Sequence, residues 1–138
     1  MGNPLNVLYL GDARRASNSW ARAEAMRRLG HQVEVVDPLA PFYGLPGLGG
    51  ISTRLGYHPF GPIMARILVK AFRAGDYQLV WVNEGATVPA SFVRFLNHRH
   101  IPVIYYSTDD PYGKRDRRKW DLLKAAAKEH PLLHVVVR

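Results

Sequence analysis

Short apolar runs alternate with helix-like segments along the whole chain of 138 residues. Apolar runs predict strands at residues 6–10, 31–38, 79–82, 103–106 and 132–137. Helical periodicity predicts helices at residues 20–29, 62–74, 89–98 and 116–128. This alternation is typical of a parallel sheet, and the almost continuous apolar strands indicate that both sheet faces are covered. We therefore expect a doubly wound α/β domain of five parallel strands, with strand order 2-1-3-4-5 or 3-2-1-4-5.

The spacing of apolar residues also predicts which face of each helix is buried. In the first helix, Ser17 or Asn18 is the expected N-cap, and Gly30 fits the left-handed position after the end. The residues expected to face the core there are Ala21, Ala25 and Leu29, with Met26 beside them and Arg22 among the outward positions. In the later helices they are Ile63, Ile67, Leu68 and Ala71, and then Phe92, Val93 and Leu96.

Residues 38–61 break this regular pattern because they are rich in glycine and proline. A loop of this length is unusual in a small domain and is often functional or mobile. The same segment carries apolar side chains, among them Phe42, Tyr43, Tyr57 and Phe60. We interpret it as a lid or as a surface that packs on something else.

The composition indicates one folded domain, spanning residues 1–138, with neither a disulfide framework nor a thiolate metal site, since cysteine is absent. No leader or membrane-spanning run is visible, so we expect a cytoplasmic protein. The net charge of +8 suits a phosphorylated small molecule, an anionic membrane surface or a nucleic acid. No helix-turn-helix, zinc-ligand or RNA-binding signature is present, so specific nucleic-acid recognition is not expected.

The residues that could carry chemistry all follow predicted strands. Carboxyl ends of parallel strands form the ligand-binding edge of such sheets, and a helix N-terminus there suits an anion. The candidates are Gly11, Asp12, Arg14, Arg15 and Ser17 after the first strand, Asn83 and Glu84 after the third, and Ser107, Thr108, Asp109 and Asp110 after the fourth. An acid at this edge can act as a general base or can cap the next helix or turn.

Several common site types lack their motifs. Gly11 stands alone, so the dinucleotide fingerprint is absent, and there is neither a Walker A sequence nor a nucleophile elbow. No predicted helix carries two histidines, and we expect no metal site.

Four stretches together resemble the N-terminal, Rossmann-like domain of GT-B glycosyltransferases, and the last of them resembles the spore-maturation type. They are Leu8-Tyr9-Leu10-Gly11-Asp12, the run from Arg28 to Asp37 with its Leu-Gly-His, Leu79 to Gly85, and Tyr105 to Pro111 with the following Trp120. In that family the N-terminal domain mostly binds the acceptor, and a C-terminal domain binds the nucleotide-sugar donor. The resemblance thus implies the acceptor half of a glycosyltransferase, with a nucleotide sugar as co-substrate, no other cofactor, and a donor-binding domain as partner.

The same resemblance implies roles for the residues at the strand ends. Glu84, Asp109 or Asp110 would be the base that deprotonates an acceptor hydroxyl, or would only orient it. The loop from Gly11 to Ser17 would approach the donor diphosphate or the acceptor, while Arg14 and Arg15 could hold a phosphate or an acidic acceptor.

Two other classes of protein stay open. A non-catalytic module for anions or nucleic acid would follow from the charge alone. A receiver-like signalling domain has the same size, but Asn83 stands where its phosphoacceptor aspartate would be, and Arg138 follows the last strand instead of a lysine.

Overall fold

The computed structural model describes residues 2–129 and 134–136. Its strands are β1 (Asn6–Leu10), β2 (Gln32–Val36), β3 (Leu79–Asn83), β4 (Val103–Ser107) and β5 (His134–Val136). Its helices are α1 (Asn18–Arg28), α2 (Leu48–Arg54), α3 (Gly61–Arg73), α4 (Ala90–His98) and α5 (Asp121–Glu129). The predicted α/β class is confirmed.

All strand pairs are parallel, and the order across the sheet is β2-β1-β3-β4, with β5 beside β4. The register pairs Leu10 with Val36 on one side and with Val82 on the other. The carboxyl ends of β1, β2 and β3 therefore lie next to one another. The carboxyl ends of β3 and β4 are also adjacent, since Asn83 pairs with Tyr106.

The side chains of β1 divide between two clusters of buried apolar residues. Leu8 and Leu10 belong to a large cluster with residues of α3, α4 and α5, such as Leu68, Phe92 and Leu123. Val7 and Tyr9 belong to a smaller cluster with Ala23 of α1 and Val33 of β2. Successive residues of a strand point to opposite faces, so both faces of β1 are packed.

The predicted buried face of α1 is wrong. Leu29 is 69% exposed, and Ala21 and Ala25 are exposed as well. Ser19 and Ala23 are the buried positions, and Met26 packs against the smaller cluster. These three residues share one helix face by their spacing of four and three residues. The two small ones among them let α1 lie close to the sheet.

The predicted face of α3 needs a similar correction. Gly61, Met64, Leu68 and Phe72 are buried, whereas Ile63 is 48% exposed. The two faces overlap at Leu68 only, because the helix is apolar on more than one side. For α4 the prediction is confirmed, since Phe92, Val93 and Leu96 are all buried.

Residues 38–61 form a folded part of the domain. Short 3-10 helices at Ala40–Phe42 and His58–Phe60 flank α2. The Phe42 side chain is buried in the large cluster, and its ring lies 4.6 Å from that of Phe60. The segment also packs tightly at Gly56, where an added Cβ would lie 2.5 Å from the Arg118 carbonyl oxygen. The Phe42 and Tyr57 side chains of this segment therefore pack on this domain itself, whereas Tyr43, Leu45 and Leu55 are exposed.

The last helix begins later than predicted. Residues 111–120 form turns, and α5 starts at Asp121. The Asp110 side chain accepts a hydrogen bond from the Tyr112 backbone N–H, and Arg117 has a φ of 50°, so the backbone here is not helical. The strand predicted over residues 132–137 is observed at His134–Val136, and its flanking positions, with Arg138, lie outside the described residues.

Candidate functional site

The chain turns sharply at the carboxyl end of β3. Glu84 has a φ of 69° and Gly85 a φ of 70°, so two successive residues adopt the left-handed conformation. For a residue other than glycine this conformation costs on the order of 1 kcal/mol, and such strain is concentrated at functional sites. The Glu84 N–H still donates to the Tyr106 carbonyl at 2.7 Å, which continues the pairing with β4.

The Glu84 carboxylate is held by the two residues at the end of β4. Thr108 donates to Oε1 from its hydroxyl at 2.8 Å and from its backbone N–H at 3.3 Å. The Ser107 hydroxyl lies 3.0 Å from Oε2 and 3.0 Å from the Asp109 carbonyl oxygen, and its single proton serves one of them at a time. Ser107 is buried, Glu84 is half-buried and Thr108 is exposed. The result is a carboxylate of fixed orientation beside an exposed hydroxyl.

Beneath this carboxylate lies a buried polar contact between three elements. The Asn83 side-chain oxygen accepts a hydrogen bond from the Tyr9 hydroxyl at 3.0 Å and another from Arg22 Nη1 at 3.2 Å. The Arg22 guanidinium lies 4.5 Å from the centre of the Tyr106 ring. Arg22 therefore links α1 to β3 and β4, although the sequence predicts it to face outward.

Burial dominates the electrostatics of Tyr9. It raises the pKa of the Tyr9 hydroxyl, and the negative charge of Glu84 raises it further. The nearby Ser19 hydroxyl and the Arg22 guanidinium offset part of this effect. Tyr9 thus remains a neutral hydrogen-bond donor at neutral pH, which fixes the Asn83 amide with its oxygen toward Tyr9 and Arg22.

Gly11 is required by close packing at the end of β1. A Cβ atom built there would lie 2.4 Å from Ser19 Oγ, 3.0 Å from the Tyr9 ring and 3.1 Å from Asn83 Cβ. The absence of a side chain thus lets α1 approach the ends of β1 and β3. Such a contact between helix and strands cannot be recognised from a single glycine in a sequence.

The predicted ligand-binding loop after β1 is organised around Asp12. Its carboxylate accepts hydrogen bonds from the Arg14 backbone N–H at 2.9 Å and from the Arg14 guanidinium at 2.6 and 2.9 Å. This guanidinium holds the pKa of Asp12 below its ordinary value. Ser17 is the N-cap of α1, because it accepts from the Trp20 N–H at 3.0 Å and donates to the Asp12 carbonyl at 3.1 Å. Arg15 is exposed.

A cavity of about 430 Å³ lies beside this loop and is lined by Asp12, Arg14, Ala16, Ser17 and Asn18. The Arg14 guanidinium lies 5.4 Å from the centre of the Tyr43 ring. The Tyr43 hydroxyl in turn donates to the Asp37 carboxylate at the end of β2, and burial raises the Tyr43 pKa. The 38–61 segment thus contacts the site loop through Tyr43.

The other two predicted acids organise the turn after β4. Asp109 forms an ion pair with Arg115 at 3.1 Å, and Asp110 accepts from the Tyr112 N–H at 2.9 Å. Asp116 accepts hydrogen bonds from Arg115 and from the Trp120 indole, which lower its pKa to about 2. The Glu84 carboxylate accepts hydrogen bonds from Ser107 and Thr108, whereas Asp109 contacts Ser107 through its backbone carbonyl oxygen.

Within residues 2–129 and 134–136, no group of three or more histidine, aspartate or glutamate side chains is arranged to hold a metal ion. The same residues include no helix with the length and apolarity that crossing a membrane requires. No family model matches the chain, and no significantly similar curated protein or solved structure was found.

Proposed function

We propose that this chain is the acceptor-binding half of a nucleotide-sugar-dependent glycosyltransferase, and that Glu84 contacts the acceptor hydroxyl. The observation that carries the proposal is the Glu84 carboxylate, which accepts hydrogen bonds from the Ser107 and Thr108 hydroxyls. The backbone of Glu84 is left-handed at this point. A carboxylate accepts hydrogen bonds only, so it suits a hydroxyl-bearing ligand and opposes a phosphate at the same point.

The chemistry of the proposed site follows from this carboxylate. In an inverting transfer Glu84 takes the acceptor proton as a general base, which requires hydrogen-bond reach to the hydroxyl. In a retaining transfer the same contact only orients the acceptor. Thr108 is exposed and offers its hydroxyl oxygen to the ligand, whereas Asn83 and Tyr9 fix the end of β3 from below.

The full architecture belongs to the same proposal. A five-stranded, doubly wound, Rossmann-like sheet would place the site where family members bind the acceptor. The parallel pairing of β5 with β4 and the packing of both faces of β1 support this arrangement. Catalysis then depends on a donor-binding domain that brings the nucleotide sugar to the same edge.

The test is a titration of the ¹⁵N-labelled chain, followed by NMR, with glycosides, sugar acids, nucleoside diphosphates and a polyanion. We expect saturable binding of a hydroxyl-rich glycoside that shifts the amide signals of residues 84–85 and 107–109. Glu84→Gln and Thr108→Val should each weaken this binding about tenfold, as expected for one lost hydrogen bond to a charged group.

The matched control is Glu34→Gln on β2. Glu34 accepts a hydrogen bond from the Tyr77 hydroxyl, and a glutamine oxygen at this position can still accept it. This variant should bind as the parent chain does. The proposal is contradicted if Glu84→Gln binds the glycoside with the affinity of the parent chain, or if no glycoside binds saturably.

A second candidate function is an anion-binding module, favoured by the net charge of +8 and the cavity beside the α1 N-terminus. The ion pair of Arg14 with Asp12 at 2.6 Å weakens this alternative, because it already neutralises the nearest cation. In the same titration, polyanion binding that falls steeply with salt and shifts residues 12–18 would favour it.

A further inference from the structure

A groove of about 710 Å³ runs between α3 and α4. Its apolar surface includes Ala65 and Val69 of α3 with Phe95 of α4. All of its lining residues come from these two helices and from Ala74, directly after α3. None of them belongs to the Glu84 site, so the groove and that site are separate.

Three cations follow one side of this groove. Arg66, Lys70 and Arg73 line it, are exposed, and lie four and three residues apart on α3, which places them in one row along the helix. Lys70 and Arg73 lie in the last turn of α3, where the helix dipole also stabilises cations. Arg66 lies outside that turn, so the dipole does not account for the whole row.

The row carries its charge unneutralised. Within the described residues, no carboxylate lies within ion-pair distance of Arg66, Lys70 or Arg73. The arginine on the other flank of α4 behaves differently, because Arg94 pairs with Glu129 at 2.8 Å. The groove lining contains no acidic residue at all. A ligand that enters it therefore meets positive charge along one side.

Phe95 fixes the position of the charge relative to the apolar surface. The guanidinium groups of Arg73 and Arg99 lie 5.6 and 3.8 Å from the centre of its ring. The ring itself packs against Phe72 at 5.6 Å and Phe92 at 6.0 Å. A cation–π contact already restricts the arginine side chain before any ligand binds. Binding of an anion then costs less conformational entropy.

We propose that this groove binds a free anionic amphiphile: an unbranched, medium-length apolar chain that carries a carboxylate, sulfate or phosphate head. The chain lies along Ala65, Val69 and Phe95, and the head contacts Lys70 and Arg73. The volume is within the range of small-molecule sites, about 300–1,000 Å³, and such sites combine apolar walls with a few placed polar groups.

The experiment uses the full chain and decanoate, kept below the concentration at which it forms micelles. We expect a saturable heat signal in calorimetry and NMR shifts confined to α3 and α4. Decyl sulfate should bind as well, whereas octanol, which lacks the charge, and acetate, which lacks the chain, should each bind at least tenfold more weakly. Higher salt should weaken decanoate binding, because the cations are exposed.

Two variants separate charge from shape. Arg73→Gln should weaken decanoate binding about tenfold, as one lost charge-assisted contact predicts. Its control is Arg28→Gln, an exposed arginine in the last turn of α1 that changes the net charge by the same amount. Ala65→Trp fills the groove and should abolish binding of every chain-bearing probe. A thermal midpoint measured for each variant shows that it is folded.

Four results with these small probes and variants would overturn the inference. They are binding that is equally weakened by Arg28→Gln, binding of octanol as tight as that of decanoate, shifts that map outside α3 and α4, and no binding at all. Binding to vesicles of anionic phospholipid without binding of monomeric decanoate would overturn it in favour of a membrane surface. Binding of an acidic amphipathic peptide alone would overturn it in favour of a protein partner.

Discussion

The Thr108 hydroxyl donates a hydrogen bond of 2.8 Å to the Glu84 carboxylate, and this contact joins the carboxyl ends of β3 and β4. It depends on the left-handed turn at Glu84 and Gly85. This left-handed conformation depends on the packing around it, because a strained backbone persists only where neighbouring residues hold it in place.

Gly85→Ala should destabilise the domain by about 2 kcal/mol or more, since it adds a steric clash to the cost of a left-handed alanine. A Cβ at this position would lie 2.8 Å from Leu123 Cδ1 and 3.1 Å from the Tyr105 ring. Urea denaturation measures the difference. The matched control is Gly30→Ala, where φ is 95° and no atom lies within 4 Å of the added Cβ. It should cost only about 1 kcal/mol. Equal losses in both variants would show that Leu123 and Tyr105 do not restrict the turn.

Gly11→Ala should cost about 2 kcal/mol, because its Cβ overlaps the Ser19 hydroxyl. Within the described residues Ser19 Oγ makes no well-directed hydrogen bond, so Ser19→Ala alone should cost little. The double variant should be about 1 kcal/mol more stable than Gly11→Ala alone. It should remain less stable than the parent chain, because the added Cβ still lies close to Tyr9 and Asn83. A double-mutant cycle from denaturation midpoints checks this, and strict additivity would contradict it.

Asp116 should contribute stability at neutral pH that disappears in acid. Its pKa is lowered from 3.8 to about 2 by hydrogen bonds from Arg115 and Trp120. A lowered pKa in the folded state means that the contribution is complete above about 4 and is lost as the pH falls through about 2. Asp116→Asn should therefore be less stable than the parent chain at pH 7, and the two should converge near pH 2. Denaturation over this pH range measures the difference.

A difference between Asp116→Asn and the parent chain that does not change with pH would contradict this prediction. It would show that the hydrogen bonds from Arg115 and Trp120 do not favour the charged form of Asp116.

Phe42→Ala should destabilise the whole domain by about 3 kcal/mol, the loss expected for a buried aromatic side chain. Phe42 belongs to the same buried cluster as Leu68 and Phe92, so unfolding of the 38–61 segment would expose the main core. Leu45→Ala in the same segment is the control, because Leu45 is 45% exposed and should cost little. Thermal unfolding followed by circular dichroism measures both. A Phe42→Ala variant as stable as the parent would indicate that the segment is a detachable lid.

The sequence predicts the candidate site in part. The order of strands and helices places Glu84, Ser107 and Thr108 after neighbouring strands, and the structure joins them by hydrogen bonds. Their chemistry as a site remains a prediction. The contact of Tyr9 and Arg22 with Asn83 was missed. The tyrosine stands in an apolar run and the arginine on a helix surface, and neither carries a local signal for a contact so distant along the chain.

Local patterns by themselves determined the α/β class, the left-handed Gly30 and an N-cap at Ser17 or Asn18, of which the structure has Ser17. Backbone propensities and capping act within a few residues. The tertiary structure alone decided the buried faces of α1 and α3, the folding of residues 38–61 into the core, and the turns that delay α5 to Asp121. Each of these depends on which surface another element covers. Burial is a property of two packed surfaces, and the sequence of one helix or loop describes only one of them.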